Sequence, residues 1–75
     1  MAKADVMLHV DESLDPQAHE RVRDTLRQMA GIANVRSPED KPHLFVVEYD
    51  PAAVNSSQIL HHVTGTGLHA ELVGL

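Results

Sequence analysis

The sequence predicts an α+β ferredoxin-like sandwich: a four-stranded antiparallel sheet with two helices on one face, in the order βαββαβ. Three observations predict it. Apolar residues alternate along Val6-Met7-Leu8-His9-Val10 and fill His43-Leu44-Phe45-Val46-Val47-Glu48-Tyr49, as strands do. They recur at helical spacing in Ala18, Val22, Leu26 and Met29, and again in Ile59, Leu60 and Val63,. Turn-forming residues separate these stretches, so the chain reads as two split βαβ units. Right-handed crossovers then place both helices on one sheet face. The expected strand order is 4-1-3-2. The first and third strands are expected to be central and parallel to each other, with the fourth beside the first and the second beside the third.

Each element has a local reason. In the first strand Val6, Leu8 and Val10 share one face, and Met7 and His9 the other. Asp11-Glu12-Ser13-Leu14 is a loop. Asp15 can cap the first helix, and Pro16 suits its first position. Asp24 and Arg27 can pair one turn apart, and Gly31 is the expected stop. A second strand begins near Ile32. The turn Ser37-Pro38-Glu39-Asp40-Lys41-Pro42 leads into the third strand, which Asp50-Pro51 ends,. Asn55 and Gln58 form a capping box for the second helix, with Val54 and Ile59 as a hydrophobic staple. Gly65-Thr66-Gly67 closes that helix. His69-Ala70-Glu71-Leu72-Val73 is a short last strand, with Ala70 and Leu72 inward.

Size and charge narrow the function. Residues 1–75 make one domain,. A chain of this size buries about 62% of its unfolded surface. That is enough for one thin core and too little for the deep pocket and lid of most enzymes. No phosphate-cradling glycine motif or nucleophile elbow is present, and the expectation is a protein that is not an enzyme. Six Lys and Arg against eleven Asp and Glu give a net charge of −5, which repels a phosphate backbone and argues against nucleic acid. The apolar runs are too short for membrane insertion. The charged N-terminal stretch is unlike a secretory signal, and the expectation is a cytoplasmic protein. With no cysteine, thiolate metal sites and cysteine nucleophiles are excluded. The chain is instead histidine-rich. Protonating all six histidines would take the net charge from −5 to −5 + 6, or +1, and imidazoles titrate near pH ~6.5.

Three stretches carry a family resemblance. Ala30-Gly31-Ile32-Ala33-Asn34-Val35 resembles the helix exit of heavy-metal-associated domains. Val47-Glu48-Tyr49-Asp50-Pro51-Ala52-Ala53-Val54 resembles their third strand and turn, and Ile59-Leu60 through Gly65-Thr66-Gly67-Leu68 their second helix exit. The spacing of Val22, Leu26 and Met29 matches their first helix. The resemblance covers nearly the whole chain and implies a metallochaperone-like fold. It departs at the metal loop. The family carries Met-x-Cys-x-x-Cys between the first strand and first helix. Counting back from Gly31 puts those cysteines near Asp15, or equally Pro16, and Ala18. None of these replaces a thiolate, and soft ligands are what select Cu(I). The family's copper relay therefore does not carry over.

Two sets of side chains could hold a metal ion instead. Asp15 and His19 lie one turn apart where the family's loop falls, but they also read as an N-cap and a surface residue. On the open sheet face, parity places His9 outward, with His69 and Glu71 outward on the neighbouring fourth strand. A parallel third strand would set Glu48 on the other side of His9. Two imidazoles and a carboxylate suit Zn²⁺, Ni²⁺ or Cu²⁺, and the plain alternative is a polar solvent face. His61 and His62 diverge on a helix and cannot easily share an ion. Met7, Leu44, Val46 and Val73 make the same face partly apolar, which suits a protein partner or a homodimer. Two functions follow as expectations. One is a non-enzymatic domain of heavy-metal-associated type that binds a borderline divalent ion through histidine and carboxylate. The other is a metal-free interaction module that kept the fold and lost the site.

Overall fold

A computed structural model gives the structure and describes residues 3–73. Its elements run β1 (Ala4–Val10), α1 (Pro16–Arg27), β2 (Ile32–Arg36), β3 (Leu44–Tyr49), α2 (Ser56–Thr64) and β4 (Ala70–Val73). The sheet order is β2-β3-β1-β4, and all three neighbouring pairs are antiparallel.

The antiparallel pairing of β1 with β3 corrects the expected parallel central pair. The α1 crossover returns the chain so that β2 runs in the direction of β1. The short β2–β3 connection then reverses it, so β3 opposes both neighbours. Asp5 thereby lies opposite Glu48, and His9 opposite Leu44.

The core lies between the sheet and the helices. Val6, Leu8, Val10, Val35, Phe45 and Val47 face Val22, Leu26, Ile59 and Val63 across it, and Val54 is buried with them. Polar and charged side chains are excluded from it among the described residues. Leu72 shares the parity of buried Leu8 but is 36% exposed, because β4 is an edge strand that the helices only half cover.

The caps fix where the helices start. The Asp15 carboxylate accepts from the Ala18 N–H at 2.7 Å, and Pro16 follows it. Asn55 accepts from the Gln58 N–H at 2.8 Å, while the Gln58 side chain accepts from the Asn55 N–H at 2.9 Å. The first stop differs from expectation. α1 ends at Arg27, with Gln28 as its C-cap, and Gly31 follows in a separate turn with φ +91°.

The topology sets one end of the molecule apart. β1 ends there, β3 and β4 begin there, α1 starts there and α2 stops there. His9, His19, His43, His61, His62 and His69 all lie toward that end.

Candidate metal centre

The open sheet face at this end gathers three donors. His9 is next to last in β1, and Glu71 lies directly opposite it on β4. Asp11 follows His9 by two residues, so extended backbone keeps it on the same face. One ligand atom from each of His9, Asp11 and Glu71 lies within 4.8 Å of the others. The His9 Nδ1 stands 3.3 Å from Asp11 Oδ1. Both side chains are substantially exposed, at 41% and 58%.

His69 and Glu48 fall elsewhere. His69 precedes β4 and lies beyond Glu71, so it is diagonal to His9 rather than opposite it. Its backbone N–H donates to both Glu12 carboxylate oxygens, at 2.9 and 3.0 Å, and its Nδ1–H donates to Oε2 at 2.8 Å. These bonds hold the Glu12 carboxyl below its ordinary range and raise the His69 imidazole above its own. Glu48 lies four residues along β3 from the position opposite His9, about 13 Å away at strand rise. The expected flanking of His9 by Glu48 depended on a parallel third strand, and the antiparallel pairing removes it.

The imidazoles of His43 and His19 are engaged. His43 Nδ1–H donates to the Glu12 carbonyl at 2.9 Å, and its ring centre is 6.1 Å from that of His9. Glu12 is therefore held by His43 through its backbone and by His69 through its side chain. Asp15 is occupied as the N-cap. His19 stacks on Phe45, with ring centres 4.8 Å apart. Its Nε2–H donates to Ser37 Oγ at 2.9 Å, and that hydroxyl donates onward to the Leu44 carbonyl at 2.7 Å. Asp15 and His19 thus serve the helix start and the β2–β3 turn. His61 and His62 are both exposed on α2.

The fold matches solved structures over nearly the whole chain. MerP from Ralstonia metallidurans, in its oxidized form, has a TM-score of 0.86 at 16% identity, covering 97% of this chain and 100% of that one. This is the heavy-metal-associated fold. The N-terminal domain of a potential copper-translocating P-type ATPase from Bacillus subtilis, in its Cu(I)-loaded state, matches at 0.85 with 19% identity, over 97% of this chain and 90% of that one. The apo copper chaperone of Enterococcus hirae matches at 0.80 with 20% identity, over 91% and 98%. No protein-family model and no curated protein matches the chain. No helix among the described residues is long and apolar enough to cross a membrane.

Asp11 is the donor that sequence reasoning missed. The sequence places it in the loop after the first strand, yet its spacing of two from His9 carries the signal,.

Proposed function

We propose that this chain is a non-enzymatic domain of heavy-metal-associated type that binds a borderline divalent ion, Zn²⁺, Ni²⁺ or Cu²⁺, through His9, Asp11 and Glu71. One observation carries the reading: an imidazole nitrogen and a carboxylate oxygen 3.3 Å apart, with a second carboxylate within 4.8 Å. A charge-assisted hydrogen bond is shorter, about 2.7–2.9 Å. Two donors about 2.1 Å from one tetrahedral zinc stand about 3.4 Å apart. Glu71 would need to close by at most about 1.4 Å, which its exposed side chain can do. Water completes the coordination. The solved structures of similar fold include a copper chaperone and a domain of a potential copper-translocating P-type ATPase, and that likeness supports a metal role here. Nitrogen and oxygen donors favour borderline and hard ions over Cu(I).

The test is a two-dimensional NMR titration with ZnCl₂, NiCl₂ and CuSO₄, paired with native mass spectra. Amides at 9–11 and 70–72 should respond first. Asp11→Ala, His9→Ala and Glu71→Ala should each weaken binding by more than about tenfold, since losing even a group that only orients a ligand costs about 10–100-fold. Glu48→Ala should leave it unchanged. Responses confined to residues 15–19 or 61–62 would sink the assignment.

A second reading is a metal-free docking module. It is favoured by the apolar part of the same face, where Met7, Leu44 and Val46 are half-buried and Val73 is 36% exposed. No spectral change at millimolar metal would put this reading first.

A further inference from the structure

The cations of this acidic chain are unevenly placed. Three of its six Lys and Arg residues, Arg23, Arg27 and Arg36, line one groove between α1 and the outer edge of β2. The groove has an apolar floor that includes Val35, Val46 and Pro38. Its arginines are poorly matched within the molecule. Arg23 meets Glu20 only at 3.5 Å, and Arg27 meets Asp24 only at 3.9 Å. Exposed pairs this long contribute little and exchange readily. Among the described residues Arg36 has no carboxylate partner within salt-bridge distance, and the buried Nε of Arg23 has no hydrogen-bond partner.

The floor of the groove is bounded by a free sheet edge. β2 is an outer strand, whose outer row of backbone groups is met here by a single side chain: the Val35 N–H donates to Asn34 Oδ1 at 3.0 Å, a bond that an added strand would replace with a main-chain one. A bulge between Ile32 and Asn34 interrupts the regular edge at its start, which leaves residues 34–37 as the stretch that can accept a strand. Successive side chains of an added strand point to opposite faces. One set would meet Arg23 and Arg27 on the helix side, and the other Arg36 on the open side.

We infer that this groove docks an extended acidic segment of a partner protein, which adds as a strand to β2 while its carboxylates pair with Arg23, Arg27 and Arg36. Main-chain bonds supply affinity in this mode, and side-chain pockets supply selectivity. An arginine fork suits a carboxylate in two-point contact. A nucleic acid is the less favoured occupant, because its continuous phosphates would also meet the net −5 of the whole chain,. The inference is independent of the metal reading. The groove shares no residue with His9, Asp11 and Glu71, and the test is run with chelator present.

The probe is a fluorescein-labelled peptide of repeated Glu-Glu-Val, read by anisotropy at low salt. Saturable binding is expected, and it should weaken several-fold at physiological salt. The same peptide with Gln for Glu should not bind. Arg27→Glu and Arg36→Glu should each weaken binding by about five- to tenfold. Arg21→Glu makes the same change in net charge but lies at the cleft between the helices, and it should change affinity by less than about twofold. Amide shifts should concentrate at 34–37. Circular dichroism of each variant checks that the fold is kept. The inference fails if Arg21→Glu weakens binding as much as Arg36→Glu, if the Gln peptide binds equally, or if single-stranded oligothymidine binds more tightly than the acidic peptide.

Discussion

Replacing Gly31 by Ala should be far more costly than the same change at Gly67. Both glycines have positive φ, +91° and +99°, so an L side chain meets similar backbone strain at each, about 1–2 kcal/mol. Both substitutions also stiffen the unfolded chain, which offsets about 0.4–1 kcal/mol. The surroundings differ. A Cβ on Gly31 would stand 2.9 Å from Ala53 Cβ and 3.0 Å from Val54 Cγ1, whereas a Cβ on Gly67 would meet nothing within 4 Å. Ala53 Cβ is fixed to the backbone and cannot swing aside. The Gly31 carbonyl also accepts from the Asp50 N–H at 2.8 Å, which ties the two turns together. Overpacking of this kind adds about 1–3 kcal/mol. The expected losses are therefore about 2–4 kcal/mol for Gly31→Ala and about 1 kcal/mol or less for Gly67→Ala. A chain of this length has about 4–11 kcal/mol in all. Urea unfolding followed by circular dichroism measures both losses, and Tm should fall by about 4–8 °C per kcal/mol. Metal binding by Gly31→Ala should be unchanged, since this turn lies at the end remote from His9. Losses within about 0.5 kcal/mol of each other would refute the contact argument.

Three further outcomes are expected. Asn55→Ala breaks the capping box of α2 and should destabilise the domain by about 1 kcal/mol in the same urea assay; no measurable loss would mean that α2 is held by packing alone. The Glu12–His69 pair should show in a pH series. His69, raised above 6.5, contributes fully below that value and loses its contribution as pH climbs through its folded pKa, while Glu12, lowered from 4.5, contributes fully above that value and loses its contribution as pH falls through its own,. The pair is therefore strongest between 4.5 and 6.5, and Glu12→Gln should bring the His69 midpoint down in an NMR titration. Cu(I) should stay with a strong chromophoric chelator at stoichiometric protein, because the chain has no thiolate,; transfer of the ion to the protein would overturn that expectation.

Local chemistry was the readable part of this sequence. Asp15-Pro16 and Asn55-x-x-Gln58 name their own hydrogen bonds, and the alternation of Val6, Leu8 and Val10 names the buried face. Strand direction was harder, because no single residue encodes it. It depends on how many times the chain reverses, and the error over β3 carried Glu48 from the far end of the sheet to a place beside His9. The partners of the histidines were less readable still. A shift of two residues in register separates Glu71, opposite His9, from His69. The bonds from His43 and His69 to Glu12 join residues 31 and 57 positions apart, and no local pattern announces such pairs. Gly31 does take the positive φ of a stop glycine, but the helix ends four residues sooner, where the Gln28 N–H closes back on the Asp24 carbonyl.

The gathering of all six histidines toward one end gives the molecule a direction as well as a charge. Mild acid adds protons to imidazoles, and here every one of them arrives at the same pole. At the other pole Asp5, Glu48 and Asp50 keep their place at the far ends of β1 and β3. Acidification therefore does more than cancel a negative net charge. Asp11, Glu12, Asp15, Glu39, Asp40 and Glu71 share the histidine end, so protons gained there discharge that end while the carboxylates at the far ends of β1 and β3 stay as they were. In mild acid a copy meeting a negatively charged surface would be repelled least at its histidine end.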